Sequence, residues 1–423
     1  LGLALSLLLS FQIAGASEPV FETDEQFEAG RALRDEGMKA FRAGDAKAAL
    51  LKMEEALGNR PNNTQLLGFV IFLAVQLDDA DRAAEAATLY AASGQAPSAG
   101  IQRGLSLLLA AERWAPLKIA FEANVAAKGK ATLVYSVPTD MKLIEGIAAA
   151  PDGTLFVSSV VSGALYALEG ETPRLIADGK AYGMDSFFGI TFDAKRGSLL
   201  ATYGWVPQST SGSATVSKTG VAEFDATTGA LKNNWVLDGT AEKHQIADIL
   251  VGRDGTIFAS DASGRAVYKV SGDALEKAFD LPGSLSPQGM AETASGDLIL
   301  SDWGRGLWRL DRASGSVSAL GAPMGTHLVG IDGLVIHQGK LIGIQNAGTP
   351  QRLIEIVISK DGKSVTSVQS IGQMLDGFDE PTLGVSTPTG FYFVAGSQWP
   401  KFAAGGALRD GASHKETAIL KLQ

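Results

Sequence analysis

The chain has 423 residues, 45% hydrophobic and 19% charged, with 50 glycines, no cysteine and a formal net charge of −10. That length suits two domains, the apolar fraction excludes a disordered chain, and the acidic balance excludes a nucleic-acid partner, which needs a basic face. The lack of cysteine removes disulfides, thiolate zinc sites, thiol nucleophiles and iron–sulfur clusters, leaving hydrolases, hard-metal sites and binding scaffolds.

Residues 1–14 (LGLALSLLLSFQIA) are almost wholly apolar and lead into Gly15-Ala16-Ser17-Glu18. The small residues Ala14 and Ala16 fit the small-x-small cleavage rule, so residues 1–16 read as a secretion signal truncated at its start and cut after Ala16. The run is too short for a spanning helix, which needs about 20 apolar residues. The expectation is a periplasmic or secreted protein with no membrane attachment after cleavage.

From residue 17 to about 130 the pattern is helical and Ala-rich. Gly37, Gly44, Ala49, Ala56 and Pro61 fall at intervals of 7, 5, 7 and 5 residues. This spacing resembles a tetratricopeptide repeat, whose small residues let two antiparallel helices approach and whose Pro ends the second helix. Thr64 to Ala92 keeps Ala83 and the helical period without the glycines, and a third pair is expected over Ser98 to Ala126, interrupted at Pro116. Such a solenoid either takes a protein partner or caps its neighbour. Asn62-Asn63-Thr64 also matches a glycosylation acceptor.

From residue 131 to 423 the period changes to short β-branched runs ended by Gly, Asp, Ser or Pro. Six turns end in Gly153, Gly197, Gly255, Gly296, Gly339 and Gly390, at intervals of 44, 58, 41, 43 and 51 residues. Each turn joins two apolar strands, and that interval is one four-stranded propeller blade. The sixth unit runs out of chain after three strands, whereas Ala131 to Val137 precedes the first unit as an orphan. Pairing it with Thr417 to Leu422 closes the ring and leaves no bare edge. The fold expected is an all-β six-bladed propeller (131–423) behind a small all-α domain (17–130).

Where each inner strand begins, four blades carry a carboxylate or carboxamide: Glu145, Asp248, Gln288 and Asp332. Converging on one axis, they would form a hard-oxygen site suited to a divalent cation, Ca2+ above all. His244 and His327 lie in loops before two of those strands and are candidate substrate contacts. Trp205, Trp303, Asn346 and Trp399 follow second strands and are candidates for the rim, and two long inserts, 207–220 and 400–415, for lids. No G-x-S-x-G elbow or nucleotide-binding Gly loop is present.

The EGIAAAPDGTLFVS opening, the QGM and IDGL strand starts and the blade order of polar groups resemble the gluconolactonase and regucalcin-like (senescence marker protein) lactonases. The resemblance covers about residues 131–423. It implies a divalent metal held by Glu145, Gln288 and Asp332, with Asp332 as general base and Asp248 facing the substrate. Gln288 stands where that family has Asn in blade four, and Asp248 where it has Asn in blade three. The implied function is an exported, metal-dependent hydrolase of lactones or similar small esters acting on a small-molecule substrate. The alternative is a non-enzymatic propeller and helical-repeat binding or sensor protein.

Overall fold

The computed structural model describes residues 18–423. The apolar run and its cleavage position lie outside the described residues. Six helices come first: α1 (Asp24–Arg42), α2 (Ala46–Asn59), α3 (Thr64–Gln76), α4 (Ala80–Ala92), α5 (Ala99–Leu108) and α6 (Ala111–Val125). Their starts are written in the sequence. Thr23 and Gln26 form a reciprocal capping box, and Asp45, Asn63, Asp79 and Ser98 each accept an N–H from the first turn of the helix they open. Gly37 permits the close approach of α1 and α2, since a Cβ there would lie 3.0 Å from the Met53 methyl. Helix α6 runs through Pro116 without breaking, because that residue sits on the solvent face, where a carbonyl freed by the missing N–H meets water.

The strands form six four-stranded antiparallel sheets. Blade one is Ile144–Ala149, Leu155–Ser159, Ala164–Leu168 and Arg174–Asp178, from the inside outwards, and the next four blades repeat that order. Blade six is built from Gly384–Thr387, Gly390–Val394 and Thr417–Leu422, with Ala131–Val137 as its outer strand. Ala131 pairs with Leu422 and Val137 with Thr417, so the two ends of the propeller are hydrogen-bonded to one another. This closure is the arrangement expected from the strand count. Between neighbouring blades the cores are apolar, for example Phe187, Leu199, Tyr203 and Phe224 between blades one and two.

The helices lie against blades four and five. Val20 pairs with Ala322, and Lys128 with Gln373, as short antiparallel bridges at the two ends of the helical segment. Phe27, fully buried, has the guanidinium groups of Arg60 and Arg305 over its ring at 4.5 and 4.3 Å, and Glu22 binds both arginines at 3.1 Å. Asn62 donates to the Pro323 carbonyl and accepts from the Gly325 N–H, so the glycosylation-type sequence is engaged in this seam. Cation–π contact and ion pairing in a dry seam reinforce each other, because low dielectric strengthens both. Phe27→Ala empties the ring site shared by two buried arginines, leaving Arg305 only Trp308, at 4.9 Å, and Arg60 no aromatic partner. It is expected to cost about 3 to 5 kcal/mol in chemical denaturation, the range for a buried Phe truncation, whereas the exposed Leu107→Ala stays within about 0.5 kcal/mol.

Candidate functional site

In five blades the pairing of the inner strand slips by one residue at the same place: between Ile144 and Ile147, Phe187 and Ile190, Ile246 and Ile249, Pro287 and Met290, and Ile331 and Leu334. Each slip is a β-bulge, which turns two consecutive residues towards the axis. The bulge pairs are Glu145-Gly146, Phe188-Gly189, Ala247-Asp248, Gln288-Gly289 and Asp332-Gly333, with Thr382-Leu383 at the equivalent place in blade six. The glycines are needed because the inner strands crowd together there. A Cβ on Gly146 would sit 2.3 Å from the Phe188 carbonyl oxygen, and one on Gly289 would sit 2.5 Å from the Leu334 nitrogen.

Hydroxyls stitch these bulges across blades. Ser158 donates to the Phe188 carbonyl (2.5 Å), Thr202 to Ala247 (2.8 Å), Ser301 to Asp332 (3.2 Å) and Thr382 to Glu145 (2.9 Å). Every acceptor is the first residue of a bulge pair, so the backbone that carries the axial side chains is fixed from the neighbouring blade.

The register corrects one expectation. Asp248 does not share the position of Glu145, Gln288 and Asp332, which belongs to Ala247 in blade three. Asp248 takes the glycine position, one residue further into the channel. Consequently Asp248 and Leu383, the two residues that are not glycine there, line both the front cavity and a second cavity of about 580 Å³ at the far end of the channel.

The front cavity, about 300 Å³, is lined by Glu145, Asp248, Gln288, Asp332 and a fourth carboxylate, Glu380, under an aromatic rim of Phe188, Trp303 and Trp399. Among the described residues no Lys, Arg or His lines it. Glu145 Oε2 accepts from Trp399 Nε1 (2.7 Å) and the Ser397 hydroxyl (3.0 Å). Asp332 Oδ2 accepts from Asn346 Nδ2, and the Asn346 oxygen accepts from Trp303 Nε1, both at 2.8 Å. Gln288 donates its amide to the Ser286 hydroxyl at 2.9 Å, which turns its oxygen free. Three of the four expected rim residues thus take part; Trp205 is not among the lining.

Glu380 escaped the sequence reading because it lies two residues before the blade-six bulge position rather than in it. Its backbone is left-handed (φ 70°), its N–H donates to Gln351 Oε1 (2.9 Å), and its Oε2 is buried without a partner. The available signal was a carboxylate immediately before Pro381 at a strand entry.

Burial raises all four carboxylates, and the charge of another carboxylate adds to it for Glu145, Asp332 and Glu380. Burial lifts Glu145 to about 7, against the hydrogen bonds from Trp399 and Ser397 and with the charges of Glu380 and Asp248 adding to it. Burial lifts Asp248 to about 6 and Glu380 to about 7, the latter also through Asp332. Asp332 is pushed well above the usual range by burial and by the Glu145 charge. Asp248, Asp332 and Glu380 are half-buried.

On donor chemistry the set fits a hard cation: carboxylate oxygens of Glu145 and Asp332, the free amide oxygen of Gln288 and the orphaned Glu380 Oε2. Among the described residues no three His, Asp or Glu side chains draw together at one point, so the carboxylates stand around the cavity.

The two histidines are not part of this cavity. His244 Nδ1 is 2.6 Å from Asp261 Oδ2, and the same buried Asp accepts the N–H groups of Gln245 and Gly264. The pull of Asp261 decides where that ring points. His327 is 2% exposed in the helical seam, with Nδ1 3.0 Å from the Thr64 hydroxyl, and burial pushes it down to about 3. A neutral histidine sealed under α3 does not touch a substrate in the front cavity. The insert 207–220 is held down as well: Ser209 bonds Ser186, Ser211 donates to Asp185, and the Pro207 carbonyl accepts from Gly405 of the other insert.

No protein-family model matches the sequence, and no curated protein matches it. Among solved structures it is similar to the PQQ-bound aldose sugar dehydrogenase of Streptomyces coelicolor, at 16% identity over 70% of this chain and 99% of that one, with a TM-score of 0.47. It is also similar to virginiamycin B lyase of Staphylococcus aureus (13% identity, 70% and 99% covered, TM-score 0.44) and to a luciferin-regenerating enzyme (13%, 70% and 94%, TM-score 0.44). At these identities the likeness concerns the propeller fold alone.

Two substitutions test the geometry. Thr202→Val removes a buried inter-blade hydrogen bond and leaves the Ala247 carbonyl unpaired, so stability should fall by about 1 to 3 kcal/mol. Glu380→Gln removes one of four crowded charges and should stabilise the chelator-treated protein at pH 8 by roughly 1 to 3 kcal/mol. A loss of stability in Glu380→Gln under those conditions would contradict the repulsion argument.

Proposed function

We propose that the protein is a divalent-cation-dependent hydrolase of a lactone or similar small ester, acting in the front cavity and exported by the apolar run at its start. The observation that carries this reading is a small cavity ringed by Glu145, Asp248, Asp332 and Glu380 with no basic side chain, above a hydrogen-bond scaffold that orients two of them. The resemblance of the strand starts to the gluconolactonase and regucalcin-like propellers supports it. Glu145, Gln288 and Asp332 would hold the cation, with Ca2+ the best match to oxygen-only donors. When bound, such a cation polarises an ester carbonyl and keeps neighbouring carboxylates ionised.

The chain's own residues then do the following. Trp303, Trp399 and Phe188 border the mouth and shield a small ring from bulk water. Asn346 fixes one oxygen of Asp332, which leaves Oδ1 to accept a proton from a water in the cavity. That water's oxygen bonds to the carbonyl carbon, the ring C–O bond breaks, and the departing alkoxide takes up the proton, giving a hydroxy acid. Asp248, deeper in the channel, contacts the substrate from below.

The pH dependence has a definite sign. Carboxylates whose folded pKa is raised hold their protons more tightly than in the unfolded chain, so their contribution is present below about pH 4.5 and is lost as pH rises through about 7. In chelator the melting temperature should therefore carry a loss over that window, and Ca2+ should restore stability at pH 8 while adding little at pH 4.5. Glu145→Gln and Asp332→Asn should each weaken Ca2+ binding by calorimetry about tenfold or more. Asp332→Asn should also abolish hydrolysis of a lactone panel. Cation-loaded protein inert on lactones and esters would favour the binding or sensor reading, and unchanged metal stoichiometry in both variants would remove the assignment of the cation site.

A further inference from the structure

A second polar site lies where the helices meet blade five. Its cavity, about 420 Å³, lies between the turn after α4 (Ser93, Gly94) and the outer part of the blade, and Arg352, Lys128, His327 and Ser370 line it. Arg352 is 5% exposed, yet neither it nor Lys128 makes an ion pair among the described residues, and no carboxylate lines the cavity. In a chain of net charge −10 this is a local excess of positive charge.

Arg352 is only partly satisfied by protein. Nε donates to Gln345 Oε1 at 2.7 Å, but the bonds of Nη1 and Nη2 to the carbonyls of Gly94 and Ser93 are long, 3.3 and 3.4 Å. A guanidinium has five N–H groups, and a buried one is ordinarily matched by an anion. Burial pulls it down to about 10. The space it occupies is kept open by Gly94, where a Cβ would come 2.6 Å from Nη1. Ser370 Oγ is buried with no partner, and next to this seam both side-chain polar atoms of Gln95 are buried without one.

We propose that this cavity binds a small oxyanion, a phosphate or carboxylate group held by Arg352 and Lys128 with a hydrogen bond from Ser370. The groups come from both sides of the seam: Lys128 from the segment after α6, Arg352 and Ser370 from blade five. A bound oxyanion therefore ties helices and propeller together. The proposal does not rest on the hydrolase reading, because this cavity and the front cavity share no lining residue.

The test is calorimetric titration of the full chain with inorganic phosphate and, separately, with succinate, each against sodium chloride of matched ionic strength. Saturable binding of either anion is expected, with a rise in melting temperature; phosphate alone or succinate alone tells which geometry the site takes. Lys128→Gln should weaken binding about tenfold and Ser370→Ala several-fold. Neither should lower the melting temperature without anion, since Lys128 makes no ion pair and Ser370 Oγ makes no hydrogen bond to lose. Ca2+ binding should be unchanged in both. No saturable binding of either anion, or wild-type affinity in both variants, overturns the proposal.

Discussion

The hydroxyl-to-carbonyl stitch between neighbouring blades is the contact on which the rest of the front face depends. Propeller blades are separate sheets with no ladder between them, so an axial side chain is only as well placed as the bulge that carries it. Ser158, Thr202, Ser301 and Thr382 each reach across and hold the carbonyl at that bulge. The side chains of Glu145 and Asp332 therefore leave backbone that two blades fix together. The glycines beside them serve the same end, because a Cβ on Gly146, Gly289 or Gly333 would run into the backbone of the next inner strand.

Closure of the ring adds to this. Ala131–Val137 supplies the outer strand of the last blade, so the start and end of the propeller are joined by a ladder from Ala131–Leu422 to Val137–Thr417. The four carboxylates gathered at its centre come from blades one, three and five and from the entry to blade six, so their repulsion acts between blades that the closed ring holds together. The cost of gathering them is borne by the whole ring, consistent with functional sites being less stable than the scaffold that holds them.

The helical segment is bound to the propeller by polar as much as apolar contacts. Arg60 and Arg305 over Phe27, the half-buried Asn62 against residues 323–325, Thr64 with His327 and Arg352 under α4 are groups whose partners lie far away in the chain. None is visible in sequence, since each looks like an ordinary helix or loop residue until its partner is known. His327 shows the consequence. Its place before a strand start suggested the mouth of the channel, but burial beneath α3 removes it from water and from any substrate there.

Local physics determined the number of blades, the order of their strands, the helix starts and the identity of three of the polar side chains around the front cavity. Hydrophobic period, Gly turns and capping residues act within a few positions of one another, so they are legible in order along the chain. The tertiary structure alone decided that Asp248 sits one residue deeper than Glu145, Gln288 and Asp332, because a bulge is a fact about pairing with another strand. It alone added Glu380, set His244 on Asp261, and left Arg352 buried without a carboxylate. Those outcomes depend on which distant groups share a dry space, and a linear sequence does not contain that distance.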